Sequence, residues 1–290
     1  MNQKQFFYLF FIPTFVFLFG LGTYPLVEAA WLSLCNLDFR FPGTGKFIGL
    51  TNYVNLFLHD PRFYNDIGVT FEWLAITILG SVLVGIVLST IINEYVRGKF
   101  KSVCLLVLII PAMVPSVAGA FMWRLMYSPV VGIFPLLLSY VGFTTPILSD
   151  PYLALFACAL VNIWQWGCLL AALVIILYEA IPKEAIEAAR VFGAGGLTLY
   201  RNILYPIIKP GLVGLIFYIM VMSLRSFDYI YVMTTGGPGI TTETLDLYAY
   251  WEAIQGASRV SYACTMSIIM LLITIVLMTL FWRFVWVRRT

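Results

Sequence analysis

The feature that most constrains this chain is a succession of long apolar stretches along its whole length. They run at about 6–33, 67–92, 102–127, 151–178, 211–232 and 261–283. Each is long enough for a membrane-crossing helix, which needs about 20 mostly apolar residues. Only 11% of the residues are charged and 61% are hydrophobic, whereas a soluble domain carries about 25% charged residues. A globule with so little charge could not wet its own surface, so the bilayer has to be its solvent. In hydrocarbon every backbone N–H and C=O must be met within the protein, which makes runs of this length helices. The expected fold is an all-α membrane protein of six transmembrane helices, a single domain over residues 1–290.

The first run follows Lys4 and continues to about Leu34. That is too long for the apolar core of a secretory signal, so it reads as a retained span. Pro13 and Pro25 interrupt it, and Pro111 and Pro115 interrupt the third span. Proline inside a membrane helix usually kinks it. Orientation follows from lysine and arginine in the connections. Eleven of them fall at the N-terminus, at Arg97–Lys101, in the loop at 179–210 and at the C-terminus (Arg283, Arg288, Arg289). Four fall in the opposite set (Arg40, Lys46, Arg62, Arg259). Both termini and the 179–210 loop are therefore expected in the cytoplasm. The opposite loop at about 34–66 is long and aromatic, and reads as a folded cap or an interfacial helix. The segment 233–260 opens on Thr234-Thr235-Gly236-Gly237-Pro238-Gly239, a strong turn signal.

Composition excludes several functions. A net charge of +3 with no concentrated basic face argues against nucleic-acid binding. Five scattered cysteines and a single histidine, His59, give neither a metal site nor a disulfide framework. Gly43-Thr44-Gly45-Lys46 resembles a phosphate loop only in passing. Arg40 stands where its first glycine belongs and Phe47 where Ser or Thr belongs, so it reads as a turn. No HExxH or GxSxG motif occurs, and no catalytic residue is expected.

The loop at 179–210 is longer than a connection between two spans requires. Pro182 stands at a helix start, where its missing N–H costs nothing. Lys183 to Phe192 is rich in Ala, Glu and Arg, which favour helix. Gly193-Ala194-Gly195-Gly196 ends that helix, since glycine takes the left-handed cap conformation cheaply. A second short helix is expected from Leu197 to Tyr205, with Pro206 and Pro210 marking the return to the membrane. Ile186, Ala189 and Val191 form an apolar stripe beside Glu184, Glu187 and Arg190, a design suited to a partner's groove. The same residues also suit an ordinary surface helix with Lys183–Glu187 and Glu187–Arg190 ion pairs.

Glu187-Ala188-Ala189, three residues, Gly193, nine residues, Ile203 and Pro206 resemble the EAA loop of binding-protein-dependent ABC importer permeases. Ala180–Glu184, Phe227–Tyr231, Gly236-Gly237-Pro238, Thr242 and Tyr248-Ala249-Tyr250 resemble the carbohydrate branch of that family, the maltose and glycerol-phosphate type. The likeness extends from Gly49–Tyr53 to the sixth helix. Tyr205 departs from the usual Leu before the loop proline, and Phe192 from a frequent Asp. The resemblance implies a type I ABC importer permease fold. It also implies a second homologous permease subunit, two cytoplasmic ATPase subunits and an extracytoplasmic solute-binding protein. ATP and Mg are then bound by the ATPase, with no cofactor held by this chain. Glu187, Ala188, Ala189, Gly193, Ala194, Ile203 and Pro206 become ATPase-coupling residues.

Polar groups inside spans usually face a cavity. In the fourth span Asn162 and Gln165, three apart, and Asn162 and Trp166, four apart, share a helix face. With Trp164 they suit a sugar, amides for its hydroxyls and indoles for its C–H faces; they equally suit hydrogen bonds between helices and an interfacial aromatic belt. In the fifth, Arg225 and Asp228, near Tyr229, are spaced to neutralise each other. A free Arg225 would receive an anionic group, such as a sugar phosphate or glycerol phosphate. A self-sufficient secondary transporter is the competing class, but mid-membrane charges for ion coupling are scarce and the EAA loop goes unexplained.

Overall fold

The computed structural model describes residues 3–41, 43–142, 145–255 and 258–283, with side chains except at 3–6 and 197. Arg288 and Arg289, which enter the orientation argument, lie outside the described residues. Within the described residues five helices are long and apolar enough to cross a membrane, and a bent pair makes a sixth span. They are α1 (Gln3–Ser33), α3 (Pro61–Tyr95), the pair α4 (Lys99–Met113) and α5 (Ser116–Met126), α7 (Ala154–Glu179), the helix Tyr200–Ser223, and α13 (Val260–Phe281). A short helix α2 (Thr51–His59) precedes α3, and α6 (Ile133–Ser139) follows α5.

The single domain expected over 1–290 divides by its internal contacts into two compact units. One comprises Met1–Tyr64 with Leu245–Ile275, the other Asn65–Thr244 with Val276–Thr290. In the first unit the loop after α1 is folded. Cys35 and Phe47 form an isolated antiparallel bridge, and the buried Asn52 amide donates to the Ser33 and Cys35 carbonyls at 2.8 and 2.7 Å. Thr44, between the left-handed Gly43 and Gly45, hydrogen-bonds the Asp38 backbone, so this stretch is a turn. Asp60 starts α3 by accepting the Arg62 and Phe63 N–H groups. Its other oxygen accepts the hydroxyls of Tyr248 and Tyr262, each at 2.7 Å. Burial, and then the Asp60 carboxylate, push the Tyr248 hydroxyl well above its ordinary pKa.

The second unit is built around α7. That helix is apolar on nearly every side and most of it is buried, as expected of a helix enclosed by others. It packs against α4, α5 and the fifth span. Glycines bring α3 close to it. A Cβ on Gly85 would lie 2.7 Å from Leu170 Cγ, and one on Gly80 would lie 2.4 Å from Ile163 Cδ1. Between membrane helices packing replaces the hydrophobic driving force, and small residues permit the close approach. Gly85→Val is expected to cost about 1–3 kcal/mol through overpacking. Thermal aggregation of the detergent-solubilised protein measures it; an unchanged midpoint would mean that α3 and α7 are not in contact.

Two expected boundaries differ. The fifth span, expected at 211–232, occupies Tyr200–Ser223, and a separate helix α11 (Phe227–Met233) follows a break. The expected second loop helix, Leu197–Tyr205, is not a separate element. Helix α9 (Gly196–Leu199) runs through a π-helical turn, Tyr200–Leu204, into α10 (Tyr205–Ser223). Pro206 cannot donate to the carbonyl four residues back, and its ring crowds that carbonyl. The wider π turn, closed by Tyr205 N–H to Tyr200 O, absorbs the mismatch, so the helix continues.

Candidate functional site: the loop helix and the broken spans

The loop helix α8 (Lys183–Val191) starts after Pro182 and ends in a glycine cap. Gly193, at φ +85°, donates to Arg190 O, and Ala194 N–H donates to Ala189 O. This is the Schellman arrangement, in which a left-handed residue lets the chain turn back on the last carbonyls. Ala189 is buried, and Ile186 and Ala194 pack beside it, on Tyr178, Ile181, Leu199, Tyr200 and Leu204. Ile203 joins the same cluster, while Pro206 is exposed on α10.

The apolar stripe is therefore not the free face of α8. Ile186 and Ala189 fasten the helix to its own bundle, and Val191 stands apart at 84% exposure. What points outward is Lys183, Glu184, Glu187, Ala188, Arg190, Val191 and Phe192, the last 90% exposed. Neither the Lys183–Glu187 nor the Glu187–Arg190 ion pair forms among the described residues.

The root of the loop is tied to the second and third spans by residues that spacing alone did not single out. Lys101 pairs with Glu179 at 2.9 Å and donates to the Asn93 side chain at 2.9 Å. The Asn93 amide donates to the Tyr200 hydroxyl, and the hydroxyls of Thr90 and Tyr205 lie 2.7 Å apart. Tyr205, a departure from the family pattern, thus has a partner of its own. The visible signal was a set of polar residues at the loop-side ends of otherwise apolar runs.

About 21 Å along α7 from Glu179, two broken spans meet. The third bends by 97° between Met113 and Ser116, where Pro115 cannot continue the ladder. The fifth stops at Ser223 and resumes at Phe227. Gln165 lies between them, 2% exposed. Its Nε2 donates to the carbonyls of Pro111 and Val114 at 3.1 and 2.8 Å. Its Oε1 accepts the Tyr229 hydroxyl at 2.7 Å, and Trp166 Nε1 donates to that hydroxyl at 3.2 Å. Ser116, the first residue of α5, donates to the Asp228 carboxylate. Trp73 Nε1 donates to Ser223 O at the end of α10, and Arg124 donates to Val232 O at the end of α11. Gln165 therefore holds the Pro111 carbonyl, which Pro115 leaves without its helical donor, and the Val114 carbonyl at the break.

A cavity of about 330 Å³ opens beside this junction, lined by Ala112, Val114, Pro115, Ser116, Gln165, Trp166, Met222, Arg225 and Tyr229. Four of the residues expected along a substrate path, Gln165, Trp166, Arg225 and Tyr229, share it. Three do not. Asn162 is fully buried near Tyr229, and its amide makes no well-formed hydrogen bond among the described residues. Trp164 packs on Trp123, ring centroids 5.7 Å apart. Asp228 is turned to Ser116. Nor do Arg225 and Asp228 neutralise each other, because no ion pair joins them among the described residues. Their spacing assumed a continuous helix, and the break between Ser223 and Phe227 removes it.

Comparison with known proteins accords with this architecture. The chain is 30% identical to a trehalose/maltose transport system permease protein, MalF, of Thermococcus litoralis, over 84% of this chain and 81% of that one. It is 27% identical to the sn-glycerol-3-phosphate transport system permease protein UgpA of Yersinia pestis, over 96% and 93%. In structure it is similar to a chain of a bacterial ABC transporter involved in import of the acidic polysaccharide alginate. The TM-score there is 0.83 at 20% identity, covering 96% of this chain and 94% of that one. The family model for the inner membrane component of binding-protein-dependent transport systems matches residues 81–285. That segment takes in both broken spans, the cavity between them and the whole of α8, and the chain belongs to that family of membrane-embedded ABC importer permeases.

Proposed function

We propose that this chain is one of two transmembrane halves of an ATP-driven importer, and that α8 couples it to a separate cytoplasmic ATPase. The exposed end of α8 carries this reading. Val191 and Phe192 are large apolar side chains held out from the bundle beside the glycine cap, near Glu187, which has no ion pair among the described residues. An apolar tip beside an exposed carboxylate suits a groove on a partner protein. The partner set is a second permease subunit, two ATPase subunits that bind ATP and Mg, and an extracytoplasmic binding protein. Both termini and α8 lie on the cytoplasmic side.

The cargo is a sugar or another polar solute, as the named cargoes of the relatives suggest, and it passes the cavity lined by Gln165, Trp166, Arg225 and Tyr229. Helix α7 is the element that both ends share. Tyr178 near its loop end packs in the same cluster as α8, and Gln165 in its middle holds the bent third span. Movement of α8 on ATPase closure is thereby passed along one stiff helix to the junction.

Reconstitution tests the reading. The complex carrying this chain, in proteoliposomes with its binding protein, is expected to accumulate solute only when ATP is hydrolysed. Uptake that persists without ATP and without an ATPase partner would make the protein a secondary transporter.

A further inference from the structure

We infer that the cavity between the broken spans selects a solute bearing an anionic group, such as a phosphate, carboxylate or sulfonate on a polyol, and that Arg225 receives it; this rests on reading that cavity as part of the solute path. Arg225 is exposed and lines the cavity. No ion pair or hydrogen bond from its guanidinium occurs among the described residues. The nearest acidic residue in sequence, Asp228, is held by the Ser116 hydroxyl and does not line the cavity. The other polar groups of the wall are committed. Gln165 serves two carbonyls and Tyr229, and the Trp166 N–H is given to Tyr229.

An arginine at membrane depth is costly unless it meets a partner, and such residues mark solute and ion pathways. Its planar fork matches two oxygens of a phosphate, sulfonate or carboxylate at once. Trp166 on the same wall is an apolar surface for the uncharged part of the solute. The hydroxyls of a neutral sugar can accept the guanidinium N–H groups but leave its charge uncompensated; an anionic group meets both.

Binding to the purified transporter complex in nanodiscs, read by tryptophan fluorescence quenching, tests this. The probes are glucose, glucose 6-phosphate, sn-glycerol 3-phosphate and glucuronate, with inorganic phosphate separating a free anion from an anionic polyol. At least one anionic polyol is expected to bind about 10- to 100-fold more tightly than glucose, the range of a hydrogen bond to a charged group. Arg225→Gln should collapse that ratio to near one, and Arg225→Lys should restore part of it. The proposal is overturned by equal binding of glucose and the anionic probes, by no saturable binding of any anionic polyol, by inorganic phosphate binding as tightly as the anionic polyols, or by a preference that survives Arg225→Gln. Failure of the importer reading shows separately, as uptake that does not require ATP in the same preparation.

Discussion

Glu187→Lys is expected to abolish ATP-driven uptake while the protein still inserts and folds. Glu187 is exposed on α8 and has no ion-pair partner in its own chain among the described residues. The substitution therefore removes nothing that holds the bundle together. A hydrogen bond to a charged group contributes about 1.5–3 kcal/mol. Reversing the charge loses that and adds repulsion against whatever cation the ATPase presents. Two measurements belong together here, uptake in proteoliposomes and the amount of ATPase that copurifies. Uptake is expected to fall by at least about 100-fold, with membrane content and thermal stability unchanged. Normal uptake by the variant would mean that α8 is not the coupling element.

The second large effect concerns Gln165. Its amide is the donor for two carbonyls at the bend of the third span, deep in a membrane-embedded unit. An unmet buried polar group costs about 1–3 kcal/mol; Gln165→Leu leaves the Val114 carbonyl and the Tyr229 hydroxyl without their partners, while Pro111 O keeps the Val114 N–H, so a loss of roughly 2–6 kcal/mol is expected. Gln165→Leu is the sharper variant, since it removes every donor. Gln165→Glu keeps the shape, and its buried carboxyl takes up a proton and offers one O–H for the two carbonyls, so it should destabilise less than leucine does. The thermal midpoint of the solubilised protein reads both. A Gln165→Leu protein as stable as the parent would mean that this amide does not hold the bend. Transport should fall with either substitution, because the bend shapes the cavity where Trp166 and Arg225 stand.

The loop was the most legible part of the chain. Helix α8 and its glycine cap are local, as Pro182 at one end and Gly193 at the other act through backbone geometry within a few residues. The face α8 presents was not legible. A stripe of Ile186, Ala189 and Val191 reads the same whether it meets a partner or its own bundle. Only the packing of Tyr178, Tyr200 and Leu204 assigns it inward and leaves Phe192 outside. Pro206 and Pro210 were similarly ambiguous. Prolines can end a helix or, with a π turn and supporting contacts, remain inside it.

The sequence by itself determined that this is a helical membrane protein and where its apolar runs lie; its prolines marked the first and third runs alike, yet the first is one continuous helix and only the third bends. Those properties depend on the length of each run and on backbone groups that hydrocarbon cannot solvate. The tertiary structure decided what the polar residues inside the runs do. Gln165 became the donor to the carbonyls at the bend, Asp228 a partner of Ser116, and Arg225 a cavity charge with no ion pair among the described residues. Spacing along a chain can pair residues only while the helix between them is continuous, and at both functional breaks it is not.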